Sequence, residues 1–463
     1  MPDCALVLAG GKGARMKSEL PKPMFEILGE PMLEWVLSAC ERAEITEICV
    51  VKGYNAEVID SYLEHRDGNK CDTVLQKERM GTGHAVMMAR EWLSGKLESS
   101  SDPNVLILCG DAPFIDEKTI SESRAVHRKG GNAVTIITAK VDNPKGYGRI
   151  VKKDGNILGI VEETDLTDRQ RDISEINSGA MWFSIKALLY ALEEIKPNNS
   201  QNEYYLTDSI HILSQAGYTV GSYISENEQV VLGANDRKGL LRLNDIARKN
   251  IIERHLDDGV EFTCIDGVEV GRKVRLSPGV KILQGTILKG DVTIGKGSVI
   301  GVNTILENCS VGKNCVLNSV QAYDSVICDN VTAGPFVRIR PGSIIENGAK
   351  IGNFVEVKNS TIGEKTAIAH LTYVGDSDVG AEVNFGCGVV TVNYDGKNKY
   401  RTTIEDGAFI GCNTNLVAPV RIGKKAYTAA GSTITGDVPD GALAIERGST
   451  YIKDNYSDKK LKK

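Results

Sequence analysis

Two places in this sequence carry residue types suited to handling phosphates and protons. The first is Leu8-Ala9-Gly10-Gly11-Lys12-Gly13-Ala14-Arg15-Met16, which continues the apolar run Ala5-Leu6-Val7-Leu8. A glycine-rich turn at the carboxyl end of a strand lets backbone N–H groups come close to a phosphate or a base, and Arg15 adds positive charge. The pattern is not a Walker A loop, because no Gly-Lys-Ser/Thr follows, and not a dinucleotide fingerprint, because Met16 holds its last position. Taken alone it is equally a tight strand-to-helix connection. The second is His370 in Ala369-His370-Leu371-Thr372-Tyr373. An imidazole titrates near neutral pH and can accept a proton, although a lone histidine is more often structural. Nothing points to metal bound through thiolates: the 11 cysteines, from Cys4 to Cys412, form no CxxC pair and no Cys/His cluster at zinc spacing. Most are expected to be reduced, small and buried.

The elements that must position these residues fall into two classes. Before residue 235, short β-rich runs (Ala5-Leu8, Ile48-Val51, Val105-Leu108, Val134-Thr138) alternate with helical stretches such as Met32-Cys40 and Gly83-Trp92. That alternation predicts a Rossmann-like α/β domain over residues 1–234 with a mainly parallel sheet. Leu240, Leu243, Ile246, Ile251 and Ile252 are spaced as on an amphipathic helix, with Gly259 as its stop, so residues 235–259 read as a helical linker.

From residue 260 to 452 the period changes to six. Val270, Leu276, Ile282, Leu288, Ile294, Ile300 and Leu306 form one series, Ile339, Ile345, Ile351 and Val357 a second, and Ile410, Leu416, Ile422, Thr428 and Ile434 a third. No α-helix uses this spacing. In a strand, six is a multiple of the side-chain period of two, so each series returns to the same inward side, and three hexapeptides close one triangular coil. Stacked coils give each internal strand edge a partner and the aliphatic residues a continuous column. The step shortens to five from Leu306 to Val311, Val357 to Ile362 and Val374 to Val379. The polar segment Thr391 to Thr403 should leave the coils as an external loop. Residues 453–463 form a tail.

The pattern resembles the left-handed parallel β-helix of the hexapeptide acyltransferases, and the hand is implied by that resemblance alone. The N-terminal motifs agree in order: Leu-Ala-Gly-Gly-x-Gly-x-Arg, Leu20-Pro21-Lys22-Pro23, Gln76 with Gly81-Thr82-Gly83-His84-Ala85, Cys109-Gly110-Asp111-Ala112-Pro113, Gly146-Tyr147-Gly148-Arg149, Ile160-Val161-Glu162, Glu175-Ile176-Asn177 and Asn235. They resemble the sugar-1-phosphate nucleotidyltransferases. With the β-helix behind them, nearly the whole chain is similar to the bifunctional N-acetylglucosamine-1-phosphate uridylyltransferase/glucosamine-1-phosphate acetyltransferase family.

That resemblance implies attack by a sugar-1-phosphate oxygen on the α-phosphorus of UTP, a reaction that needs positioning and charge neutralisation rather than a protein nucleophile. Asp111 and Asn235 are then the Mg²⁺ ligands, both hard oxygen donors, and Arg15 and Lys22 handle phosphate. Leu8, Ala9, Gly10, Gly11, Gln76, Gly81, Thr82 and Cys109 would contact the nucleotide, and Gln76 with Gly81 would favour a uracil edge. Gly148, Glu162 and Asn177 map to sugar-binding positions. For Asp111 the bland reading is a turn-capping carboxylate, for Gln76 a surface amide and for Arg15 and Lys22 solvated charges.

In the β-helix, Arg338-Ile339-Arg340-Pro341-Gly342, Asn353-Phe354-Val355-Glu356-Val357-Lys358, Ala369-His370, Val383-Asn384-Phe385-Gly386 and Val392-Asn393-Tyr394-Asp395-Gly396 match the acetyltransferase half. The resemblance makes Arg340, Lys358, Tyr373 and Asn384 the sites for glucosamine-1-phosphate and His370 the general base, with Glu356 orienting or assisting it. Asn393, Tyr394 and Lys399 would help close the acetyl-CoA site, to which Cys387, Cys412, Ala430 and Arg447 also map. Alanine and serine are the more familiar residues at positions 387 and 412. Neither cysteine is a nucleophile, because direct transfer to the amine needs no acyl-enzyme.

Partners are expected to be small sugar phosphates and further copies of the chain, a homotrimer through the β-helix being implied by the resemblance. The net charge of −6 leaves no broad footprint for nucleic acid, and the one basic run is Lys459 to Lys463. No apolar run has the length of a membrane span, so a cytoplasmic location is expected. Two rival readings remain: a nucleotidyltransferase whose β-helix only oligomerises or regulates, and a non-catalytic sugar-nucleotide sensor.

Overall fold

The structure, a computed structural model, describes residues 3–99, 103–199, 201–446 and 448–457. Arg447 and the basic run from Lys459 lie outside the described residues. The chain divides into two compact units, Met1–Ala247 and Arg248–Lys463. No described helix is long and apolar enough to cross a membrane.

The first unit is built on a sheet whose strands run in the spatial order Val220–Ile224, Val134–Lys140, Glu175–Ser184, Asn104–Cys109, Cys4–Ala9, Glu47–Lys52 and Asp72–Leu75. Four of these, from Asn104–Cys109 to Asp72–Leu75, are mutually parallel. The sheet is more mixed than the sequence suggests, because Glu175–Ser184 is inserted antiparallel to both of its neighbours. A hairpin, Arg149–Lys153 with Asn156–Val161, joins at that strand. Successive side chains of a strand face opposite sides. Cys4 and Leu6 therefore enter one core with Val86, Leu188 and Ile210, whereas Ala5, Val7 and Ala9 enter the other with Leu33, Ile59 and Ile120. The expected helix Gly83–Trp92 is two helices, Thr82–Met88 and Arg90–Ser99, because the Ala89 N–H turns back to Val86 O at 3.0 Å.

The second unit is a three-sided parallel β-helix whose faces hold, among the described residues, 11, 10 and 9 strands of two to four residues. Its register carries out the six-residue rule: Val270 pairs with Leu288, Leu276 with Ile294 and Ile282 with Ile300. All members of the three aliphatic series are buried. Two further five-residue steps, Leu317 to Ala322 and Ala322 to Ile327, escape a search for large aliphatics because Ala322 fills the inward position. At all five short steps the second residue after the inward one is left-handed: Asn308, Ser319, Asp324, Asn359 and Asp376, with φ between 42° and 51°. Asn and Asp tolerate that conformation because a short polar side chain can bond locally.

The polar excursion is shorter than expected. Thr391 is inside the strand Val390–Val392, Thr402 and Thr403 begin the strand Thr402–Ile404, and the residues between turn back through a Tyr394–Lys399 bridge. Cysteine burial also differs from expectation: Cys4, Cys40, Cys49, Cys309 and Cys315 are buried, five others are half-buried and Cys412 is exposed. Coil corners leave little depth in which to hide a side chain. All 11 are free thiols.

Candidate functional sites

Three of the parallel strands of the first unit end at one cleft of about 340 Å³. Cys4–Ala9 runs into Gly10-Gly11, Asp72–Leu75 into Gln76 and Asn104–Cys109 into Gly110-Asp111. This is the place where open α/β sheets bind ligands. Leu8, Gly10, Gly11, Lys22, Gln76, Gly81, Thr82, Cys109 and Asp111 line the cleft together. The glycines are there for space. A Cβ on Gly10 would come within 2.7 Å of Gln76 Oε1, and one on Gly81 within 2.5 Å of Tyr204 O. Gly81 has φ +105°, a value closed to other residues without strain.

Gln76 is buried, and its Nε2 donates to Gly81 O at 3.1 Å with His84 Nδ1 also at 3.1 Å. The amide is thereby held with its oxygen toward Gly10. The Thr82 hydroxyl accepts the Leu206 N–H at 3.1 Å, while the Gly83 N–H donates to Tyr204 O at 2.7 Å. Thr82 thus anchors the segment after Glu203 across the cleft wall.

Lys22 joins residues that are far apart in sequence. Its Nζ donates to Asn235 Oδ1 at 2.9 Å and pairs with Asp111 Oδ2. Asn235 is held in place by the start of the helix Arg237–Asp257, where Asp236 Oδ1 accepts the Gly239 N–H at 2.7 Å and Arg237 Nε donates to Met16 O at 3.1 Å. The ammonium stands where the two oxygens converge, as a cation would. Among the described residues no three His, Cys, Asp or Glu side chains form a metal-holding group. A divalent ion here would therefore take two protein oxygens and fill its shell from polyphosphate and water, a donor set that fits Mg²⁺.

Gly148, Glu162 and Asn177 form a second group beside this cleft. The Asn177 N–H donates to Gly148 O at 2.9 Å, and a Cβ on Gly148 would lie 3.2 Å from Glu162 Oε2. Asn177 Oδ1 accepts the Gly179 N–H at 2.9 Å, and Gly179 O takes the Cys109 thiol, which ties the group to the cleft. Burial raises the Glu162 carboxyl above the ordinary range, against the Thr207 hydroxyl bond, which lowers it. Burial, and next the charge of Asp111, push the Cys109 thiol up to about 12, so it stays protonated. Two expected residues stand apart. Arg15 is exposed on the single turn Ala14–Met16 and does not line the cleft, and Ala9 is buried in its strand. Arg79 and Glu203 line the cleft although Arg79 belongs to no motif. Its guanidinium and the Lys12 ammonium lie 5.5 and 4.8 Å from the Tyr54 ring, so one aromatic gathers two cations.

In the β-helix the corner after Ala367–His370 separates two faces. Asn353 and His370 are in register, and continuing that register through the Ile368–Phe385 pair brings Cys387 next. The Asn413 N–H donates to Cys387 O and the Gly431 N–H to Cys412 O, both at 2.7 Å. Asn353, His370, Cys387, Cys412 and Ala430 are therefore successive members of one corner column. Glycines let the coils close there: a Cβ on Gly386 would lie 2.5 Å from Cys412 N.

His370 is exposed, and its Nδ1 meets Asn353 Oδ1 at 2.8 Å. Asn353, and not Glu356, is the side chain bonded to the imidazole. Glu356 instead accepts from Arg340 at 3.0 Å, and it pairs in register with Tyr373. A carboxamide oxygen at Nδ1 puts the ring proton on that nitrogen and leaves Nε2 with its lone pair. Asn353 lies inside a quoted motif, but its use depends on a coil of 17 residues bringing it beside His370. Tyr373 folds over Gly375, where a Cβ would lie 2.3 Å from the hydroxyl. Asn384 is exposed on the face before the corner, in register with Ala367 and Phe409.

Asp376, which the sequence did not single out, ties the remaining residues together. Lys358 Nζ pairs with it at 3.2 Å, Asn359 Nδ2 donates at 2.6 Å, and Asn393 Nδ2 donates as well. Asn393 is thus buried at the root of the excursion rather than displayed on it. Tyr394 and Lys399 are exposed on the hairpin, which Asp395 turns by accepting the Lys397 and Asn398 N–H groups at 2.7 and 2.6 Å.

A nucleotidyl transferase family pattern matches residues 4–229, and a bacterial transferase hexapeptide pattern of six repeats matches residues 324–359. The chain is 43% identical over 461 residues to the bifunctional protein GlmU of Clostridium acetobutylicum, covering 99% of both chains. It is 44% identical to that of Acetivibrio thermocellus, covering 98% of this chain and 97% of the other. For the GlmU of Acholeplasma laidlawii the identity is 42%, with 99% and 97% covered.

Proposed function

The chain belongs to the bifunctional GlmU family, and on that premise we propose that it acetylates glucosamine-1-phosphate with acetyl-CoA and then transfers UMP from UTP to the N-acetylglucosamine-1-phosphate so formed. Pyrophosphate is released and UDP-N-acetylglucosamine is the product. The reactions belong to the cytoplasm, where both co-substrates are made.

The observation that carries the first unit's role is the convergence of Lys22, Asp111 and Asn235 at the mouth of a glycine-floored cleft. Gln76 Oε1 accepts from the uracil edge and the backbone at Gly10 and Gly11 admits the base and phosphates. Glu162 and Asn177 hold hydroxyl and N-acetyl groups of the sugar phosphate in line with the α-phosphorus. Its oxygen forms the new P–O bond as the bond to pyrophosphate breaks. Lys22 neutralises charge on the phosphates, with Arg79 reaching in from the cleft lining, and Arg15 adds positive charge from its exposed turn outside that lining. Asp111 and Asn235 would hold Mg²⁺, which would supply Lewis-acid stabilisation of phosphate oxygens.

In the second unit, Arg340 and Lys358 receive the phosphate of glucosamine-1-phosphate, and Tyr373 and Asn384 its hydroxyls. The 2-amino group attacks the acetyl thioester, His370 Nε2 takes its proton, and the C–S bond breaks to release coenzyme A as the thiol. Glu356 acts on Arg340. The corner column from Cys387 through Cys412 to Ala430 offers backbone along which acetyl-CoA lies, with Tyr394 and Lys399 over it.

The β-helix also carries support for a trimer. Phe336, Phe354 and Leu371 occupy successive left-handed corners, with φ of 61°, 57° and 42°, and are 54–61% exposed. The two rings stack at 5.4 Å. Bulky apolar residues in that conformation are costly and exposed ones need cover, which a second copy of the chain provides.

Assays with each substrate pair test the bifunctional reading. His370→Ala should abolish acetyl transfer and leave uridylyl transfer intact, and Asp111→Ala should do the reverse. A wild-type chain that makes UDP-N-acetylglucosamine only from sugar phosphate supplied already acetylated would reduce the protein to a single transferase.

A further inference from the structure

At the C-terminal end of the helix Arg237–Asp257, within the second unit, lies a cleft of about 470 Å³ that belongs to neither transferase site. Arg254, His255 and Asp258 line it from the helix, and Arg272, Lys273, Arg275 and Asp291 from the first coils. The helix ends in a Schellman turn: Gly259 has φ +83° and the Val260 N–H donates to His255 O at 2.9 Å. This fixes the His255 ring in the cleft wall with only 4% of its surface exposed. Neither ring nitrogen has a hydrogen-bond partner. A buried donor left unmade is costly, so native structures almost always supply a partner from protein, water or a bound ion.

The surroundings select the sign of that partner. Four cationic side chains face two carboxylates, and Arg275 is paired with Asp291 at 2.7 Å. The lining therefore holds more cations than carboxylates, although the chain as a whole carries −6. Burial, reinforced by the charge of Arg254 and opposed by Asp258, lowers the His255 pKa and keeps the ring neutral, with one N–H to donate. Guanidinium groups suit a compact oxyanion because their N–H forks match its oxygens. The larger cleft of about 580 Å³ in the first unit offers no such signal, since both nitrogens of its His127 are engaged by Thr135 and Asn104.

We propose that this cleft is a binding site for a phosphate-bearing anion, held by Arg254, Arg272 and Lys273 with the His255 ring donating to it. Inorganic phosphate, pyrophosphate and the phosphates of a nucleotide share that chemistry. The test uses the full chain with ¹⁵N-labelled histidine, His255 being assigned from the peak lost in His255→Gln. Inorganic phosphate, pyrophosphate and UTP are titrated separately, against chloride at equal ionic strength. The His255 nitrogens should shift saturably with at least one of them and not with chloride. Saturation by inorganic phosphate identifies a simple phosphate site, and saturation by pyrophosphate or UTP alone a polyphosphate site. Arg254→Gln with Arg272→Gln should weaken the response by about tenfold or more, with the other five histidine signals unmoved as the check on folding. His255 signals indifferent to all three anions, or an undiminished response in a folded double variant, would overturn the proposal.

Discussion

Asn353 shows how much a single carboxamide can set. By facing His370 Nδ1 at 2.8 Å it selects the tautomer whose Nε2 is basic and fixes the ring plane. Asn353→Ala should lower kcat for acetyl transfer roughly 10- to 100-fold, less than loss of a general base, which is worth about 10²–10⁴. KM for glucosamine-1-phosphate should change little and uridylyl transfer not at all. Asn353→Asp keeps an oxygen acceptor at Nδ1, so activity should largely return. An Asn353→Asp variant as impaired as Asn353→Ala would overturn this role for the acceptor oxygen. The sequence marks His370 by its imidazole, but a carboxamide has no such signature, and Glu356, with the more conspicuous charge, turns to Arg340 instead. Arg79 was illegible for a similar reason: a lone arginine between motifs looks like any solvated charge until Tyr54 gathers it with Lys12.

Among the elements, the excursion hairpin depends on a carboxylate that belongs to the coils. Burial would push Asp376 up, but bonds from Asn359, Asn393 and Lys358 outweigh it and hold its pKa below the usual carboxylate range. A depressed carboxyl contributes stability that is complete above its unfolded pKa and is lost as pH falls through the folded one. Thermal stability of the β-helix should therefore fall as pH drops below the ordinary carboxylate range, and Asp376→Asn should flatten that dependence. At about pH 7 the same variant should cost about 3 kcal/mol, since it leaves the Lys358 charge without its partner. Acetyl transfer should weaken with it because Asn393 loses its anchor. A denaturation series whose pH slope is the same in both proteins would show that Asp376 is not the titrating group. The hexapeptide register was readable because its residues are large and aliphatic. The short steps through Ala322 were not, because a small inward residue looks like any corner.

For the whole molecule the prediction concerns association. If the Phe336, Phe354 and Leu371 column is covered by another copy, Phe336→Lys with Phe354→Lys should reduce the sedimentation mass from three chains to one. Each lysine also removes a bulky ring from a left-handed corner, so the β-helix itself should not melt earlier. Uridylyl transfer should persist, because the first unit has its own two cores, and acetyl transfer should fall if neighbouring copies complete that site. An unchanged mass in a folded double variant would place any interface elsewhere.

Periodicity and ordered motifs were enough to specify the two architectures and the cleft at the strand ends, because those features depend on side-chain period and on residues close together in the chain. Convergence required the folded chain. Lys22 reaches Asn235 across 213 positions, Asn353 reaches His370 across one coil, and the His255 nitrogens are left without a partner only once the helix end is buried. Each of these is a distance between side chains brought together by packing, and no local pattern of residue types records such a distance.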